Sequence, residues 1–197
     1  MTAPFIQILE PVMGPMSILT GTLYTSGHKA ATNESRLNEY DIKLVISAMQ
    51  LDEANFKPYT NVGKNGIDKV EIFRVDDLES SDISKYFYDA TNLIAEFLFT
   101  GRNVLVHCES GFSRAPTLVI AFMMRFYFQT FNEALAELTK IESRISPNFG
   151  FRTQLKEYEK FLKVLERKEA GKNPLDIQVN FVNQNHFQIL HELANDK

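Results

Sequence analysis

One cysteine, Cys108, stands in 197 residues. That excludes a disulfide framework and a multi-cysteine metal site. Basic charge is not in excess: 21 Lys and Arg face 25 Asp and Glu, for a net charge of −4. A nucleic-acid binder usually presents a basic face, so that class is disfavoured. The overall field also gives no help to a polyanionic ligand. No apolar stretch reaches about 18 residues, so no membrane span is expected. The opening residues MTAPFIQILEPVMGP lack the basic start and long apolar core of a secretory signal. The closing residues, Glu192 to Lys197, carry no prenylation box. A lone thiol stays reduced in the cytosol or nucleus, the expected locations.

What is present can build a core. Apolar residues make up 44% of the chain, with 16 Phe. The length fits one domain with short appendages. Pro4, Pro11, Gly14 and Pro15 make residues 1–16 a loop-like N-terminal extension. Residues 17–168 form the main domain. Gly171, Asn173 and Pro174 break the chain after it, leaving 169–197 as a C-terminal extension. Phe187, Leu190 and Leu193 are spaced for a short terminal helix there. Residues 171–197 read either as a tail packed on its own domain or as a contact for a second copy or partner.

The periodicities alternate between strand and helix. Residues 17–25 suggest an early strand or hairpin, 30–40 a helix, and 42–49 a buried strand. Residues 57–66 are polar, with Pro and two Gly, hence a loop. Residues 70–75 read as a strand and 76–81 as an acidic turn. Ile83, Phe87, Ala90, Leu93, Ile94, Phe97 and Leu98 recur at helical spacing, and Gly101 closes that helix. A strand over 103–107 follows, then the run 117–124, apolar on every face, as a helix buried at a domain centre would be. Thr130 and Glu133 make a capping box. After Ser146-Pro147, Leu155, Tyr158, Phe161, Leu162 and Leu165 form one stripe of a long helix. This order predicts an α/β fold: a three-layer sandwich with a central, mostly parallel sheet flanked by helices.

The chemistry gathers at His107-Cys108-Glu109-Ser110-Gly111-Phe112-Ser113-Arg114, the pattern HCxxGxxR. It lies between the apolar run Val104-Leu105-Val106 and the apolar helix that begins near Ala115. A strand, a tight loop and a helix N-terminus make an anion cradle, because unpaired backbone N–H groups point at one spot. A cysteine at its start can be held as a thiolate and act as a nucleophile. Arg114 can grip two phosphoryl oxygens at once. Gly111 lets the loop turn its N–H groups inward. Glu109, Ser110, Phe112 and Ser113 are expected to offer backbone donors rather than side-chain chemistry.

This motif resembles the signature of the protein tyrosine phosphatase superfamily, and the chain resembles a small dual-specificity phosphatase. The resemblance covers about 17–165. It includes Leu23-Tyr24, the acidic turn, the signature, and Ser146-Pro147-Asn148-Phe149-Gly150-Phe151 with Gln154-Leu155. It implies a catalytic domain over 17–168 with a phosphate-binding loop between strand and helix. Cys108 is then the nucleophile and Arg114 the clamp on the phosphoryl dianion. Residues 108–114 wrap the phosphate, and His107 orders the loop and tunes the thiol from behind. The general acid comes from the turn 76–82. Counting back from Ile83 gives Asp77; counting forward from the strand gives Asp76. Asp82 is expected to cap the next helix. No metal and no cofactor is implied.

One departure stands out. The family usually has Ser or Thr after the Arg, a hydroxyl that stabilises the departing thiolate when the phosphocysteine breaks down. Here it is Ala115, which implies slow breakdown. No counterpart of the phosphotyrosine-recognition loop is present, so phosphoserine and phosphothreonine should enter as well as phosphotyrosine. The expected partners are phosphoprotein substrates. Alternatives are a non-protein phosphoester (phosphoinositide, glucan or RNA end) or a weakly catalytic scaffold that holds phosphorylated partners. Glu109 and Phe112 stand where phosphoinositide enzymes often carry lysines, and idle relatives usually lose the Cys, Arg or acid.

Overall fold

The structure, a computed structural model, describes residues 4–9, 20–50 and 66–168. The loop expected at 57–66, apart from Gly66, and the terminal helix lie outside them, as does the start of the strand expected at 17–25. One compact unit runs to Glu159 and carries the sheet; a second begins at Lys160.

The strands are β1 (Ile6–Leu9), β2 (Leu23–Gly27), β3 (Ile42–Ser47), β4 (Lys69–Ile72) and β5 (Asn103–Cys108). Among the described residues they form one sheet in the order β1-β2-β5-β3-β4. β5 lies between β2 and β3, parallel to both, and β4 runs parallel to β3. Val104 to Cys108 are buried, as a central strand covered on both faces must be. The sheet is mostly parallel and flanked by helices, as the alternation of periodicities predicts. In such sheets ligands bind beyond the carboxyl ends of the strands, and Cys108 is the last residue of β5.

The N-terminal expectation needs correction. Residues 1–16 read as loop, yet Ile6–Leu9 pairs antiparallel with β2. Ile6 and Ile8 are buried while Gln7 is exposed, a period of two. The prolines on either side masked this short alternation.

The helices are α1 (His28–Ala31), α2 (Glu34–Glu39), α3 (Phe87–Phe99), α4 (Arg114–Phe126), α5 (Phe131–Ile141) and α6 (Phe149–Lys168), with a 3₁₀ turn at Ser84–Tyr86 before α3. The single helix expected over 30–40 is two. Asn33 takes an extended conformation, and its side chain accepts the Arg36 N–H at 3.1 Å, so a new helix starts there. Gly101 adopts φ +74°, and its N–H donates to the Leu98 carbonyl, closing α3. α4 is buried from Ala115 through Phe126. It even buries Arg125, whose Nη1 donates to Thr91 Oγ1 at 2.7 Å and whose guanidinium lies 5.0 Å from the Tyr88 ring centre. The Thr130–Glu133 capping box is complete at the start of α5. No helix among the described residues is long and apolar enough to cross a membrane.

Candidate active site

The loop from Cys108 to Arg114 joins the end of β5 to the start of α4. Gly111 adopts φ +85°, a conformation that a β-carbon disfavours. This turns the Gly111 N–H back toward Cys108 Sγ, 3.3 Å away. Cys108 is buried. The loop is tied to three neighbours: the Glu109 carbonyl accepts the His28 N–H at 3.0 Å, the His107 carbonyl accepts the Ala48 N–H at 2.8 Å, and the Phe112 carbonyl accepts the Ser146 N–H at 2.8 Å. The Ser110 hydroxyl accepts the Phe112 N–H at 3.3 Å. Outside, the Arg144 guanidinium lies 4.7 Å from the Phe112 ring centre. A hydrogen bond from Arg144 holds the Glu142 carboxyl down at about 2, which keeps that pair ionised.

Arg114 is the first residue of α4. Its Nη1 donates to the Val75 carbonyl at 3.2 Å, and its Nε lies 3.7 Å from Asp77 Oδ2. The guanidinium therefore bridges the 108–114 loop and the acidic turn. Ser113 departs from expectation: its side chain enters the site. It does not cap α4; its hydroxyl donates to Asp77 Oδ1 at 2.6 Å. Among the described residues it is Asp77, not Asp76, whose carboxylate meets the loop, although both residues are exposed. Asp82 accepts the Ser84 hydroxyl at 2.7 Å and the Lys85 N–H at 3.4 Å. It does not cap α3 as expected, because the 3₁₀ turn intervenes: Ile83 and Tyr86 stand at the two N-caps, and neither start has a side-chain cap.

His107 lies wholly buried behind the cysteine. Burial above all, then the charges of His28 and Arg114, push its pKa down to about 3, against a smaller opposing effect of the Cys108 backbone. The imidazole is therefore neutral at ordinary pH. Its ring centre is 5.8 Å from that of His28. Ala115, the second residue of α4, is buried and presents only a methyl group.

A third segment completes the site, and its role is not visible in the motif. Asn148 Nδ2 donates to Asp77 Oδ1 at 2.9 Å. Gln154 Oε1 accepts the N–H groups of Ile83 and Ser84, each at 2.9 Å, and its Nε2 donates to the Ser81 carbonyl at 2.8 Å. The start of α6 thus holds the acidic turn from one side while the phosphate loop holds it from the other.

A cysteine-bearing loop at the end of a central parallel strand, faced by an arginine and a carboxylate from a second loop, is the arrangement expected of the cysteine-based phosphatase class. The dual specificity phosphatase catalytic domain family matches residues 23–161. Dual specificity protein phosphatase 1 of Arabidopsis thaliana is 30% identical over 152 residues, covering 77% of this chain and 72% of that protein. MAP kinase phosphatase with leucine-rich repeats protein 1 of Dictyostelium discoideum is 34% identical over 163 residues, 82% of this chain. The chain spans only 18% of that Dictyostelium protein. The crystal structure of human DUSP28 matches with a TM-score of 0.64 at 21% identity, covering 79% of this chain and 99% of that one, a likeness of fold. The chain belongs to the dual specificity phosphatase family, whose members are cysteine-dependent phosphoric monoester hydrolases.

Proposed function

We propose that this chain is a metal-independent protein phosphatase that hydrolyses phosphotyrosine, phosphoserine and phosphothreonine through a phosphocysteine. The observation that carries this reading is the contact of Asp77 with Ser113 and Arg114, which sets an acid beside the loop that Cys108 begins. The Cys108 thiolate attacks phosphorus while the loop N–H groups and Arg114 hold the equatorial oxygens. The P–O bond to the substrate breaks, and Asp77 gives its proton to the leaving oxygen. Asp77, now a carboxylate, takes a proton from water. The water oxygen attacks phosphorus, the P–S bond breaks, and phosphate leaves with Cys108 restored as a thiolate.

Ala115 has no hydroxyl to steady that departing thiolate, so breakdown of the intermediate is the slow step. The sequence offers no recognisable counterpart of a phosphotyrosine-recognition loop, and the proposed broad substrate range rests on that reading. The single thiol fits a reducing compartment, the cytosol or nucleus.

The test is hydrolysis of p-nitrophenyl phosphate against pH in EDTA. Wild type should give a bell-shaped profile, Cys108→Ser should give no turnover, and Asp77→Ala should lose the alkaline limb because no acid remains to deprotonate. Wild-type activity that survives Cys108→Ser would refute the mechanism. An Asp77→Ala profile like that of wild type would pass the acid role to Asp76.

A further inference from the structure

Asn148 sits at the N-cap of α6. Its Oδ1 accepts the Phe151 N–H at 2.9 Å. A backbone N–H can only donate, so this contact fixes which end of the amide is oxygen. The NH₂ end must then face the other way, where it donates to Asp77 Oδ1 at 2.9 Å. The Ser113 hydroxyl donates to the same oxygen at 2.6 Å, and the Asn148 N–H donates to Ser113 Oγ at 3.3 Å. Asn148, Asp77 and Ser113 thus close a ring of hydrogen bonds.

The ring treats the two carboxyl oxygens differently. Oδ1 accepts two hydrogen bonds, one for each lone pair. A proton on this carboxyl is therefore carried by Oδ2. That oxygen is the one nearer the Arg114 guanidinium, which borders the phosphate cradle.

As a helix cap alone, Asn148 would be replaceable. Asp, Ser and Asn cap about equally well. Asn is singled out because it must accept from the helix and donate to Asp77 with one side chain. Asp at this position would cap α6 but set a second carboxylate against Asp77. Ser would cap and leave Asp77 without its amide donor.

We propose that Asn148 is a positioning residue that, with Ser113, anchors Asp77 Oδ1 so that the proton is delivered from Oδ2. This rests on the reading of Asp77 as the general acid. Protonation of the leaving group matters most when that group is a poor one. The loss in an Asn148 variant is therefore graded by leaving-group basicity, which a merely loosened helix end would not produce.

The experiment compares kcat/KM for phenyl phosphate and p-nitrophenyl phosphate in wild type, Asn148→Ser, Asn148→Asp and Asp77→Ala, with thermal melts of each. This ratio reports the steps up to phosphocysteine formation, so slow breakdown does not mask the effect. Asn148→Ser should lose about 10-fold on phenyl phosphate and several-fold less on p-nitrophenyl phosphate, part of what a general acid supplies. Asn148→Asp should show the same grading more strongly, with both variants melting near wild type because the cap survives. Equal losses on the two substrates, or none, while Asp77→Ala shows steep grading, would overturn the positioning role alone. An Asp77→Ala variant without grading would overturn the acid assignment and this proposal together.

Discussion

Gly150, in the first turn of α6, lies against the carbonyl of Glu79 with no room for a β-carbon. The neighbour in the way is backbone, so it cannot swing aside as a side chain would. Gly150→Ala should force the acidic turn and α6 apart. The expected loss is about 1–3 kcal/mol of stability, as for other overpacked sites, together with a fall in kcat/KM as Asp77 moves off the phosphate loop. Urea denaturation and p-nitrophenyl phosphate kinetics on one preparation measure both. A variant as stable and as active as wild type would show that the contact relaxes without consequence.

Gln154 makes the complementary tie. One carboxamide satisfies two N–H groups and one carbonyl of residues 81–84. Gln154→Ala leaves all three without their partner, an expected loss of about 2 kcal/mol at a part-buried site. Gln154→Glu keeps the acceptor and removes the donor to Ser81, so its loss should be the smaller. Chemical denaturation of the pair orders them, and equal losses would mean that the carboxamide oxygen carries none of the effect.

The sequence announces the parts of this site that follow one after another along the chain. The loop from Cys108 to Arg114 is legible because its strand, its glycine and its helix are contiguous. The proposed acid is legible to within one residue, because the turn lies between an apolar strand and an apolar helix. What chooses Asp77 is a contact to Ser113, 36 positions away, and another to Asn148, 71 positions away. No periodicity reports such pairings. Asn148 and Gln154 are visible as residues at the start of a helix, but their tie to the acidic turn exists only once α6 is docked. The fold shows the same division. The buried runs of β3 and β5 and the all-round apolar face of α4 are plain, whereas β1 was hidden because a four-residue edge strand between prolines has little pattern to show.

Ala115 yields a kinetic expectation. Ala115→Ser supplies the hydroxyl that the family usually carries after the Arg. Turnover should rise while kcat/KM stays near its wild-type value, because only the step after the intermediate changes. Wild type should release a rapid burst of p-nitrophenol before the steady state, and the burst should shrink in the variant. A wild type with no burst, and a variant with the same kcat, would show that breakdown is not slow.

His107 should make the fold sensitive to mild acid. In the folded protein its pKa is about 3, whereas in the unfolded chain it should lie near the ordinary value of about 6.5. Between these values the unfolded chain binds a proton that the folded chain refuses. The contribution of the neutral, buried imidazole is thus complete above about pH 6.5 and is lost as pH falls toward about 3. Over most of that window the loss approaches about 1.4 kcal/mol per pH unit, a total on the order of a few kcal/mol. His107→Gln removes the titration but leaves the carboxylates, which titrate in both proteins and cancel in the comparison. Urea denaturation at pH 7, 5.5 and 4.5 should therefore show wild type falling faster than His107→Gln. Any advantage of wild type at neutral pH should narrow on acidification. Parallel curves would mean that the imidazole behind Cys108 already accepts a proton in the folded state, and the account of its burial would fail.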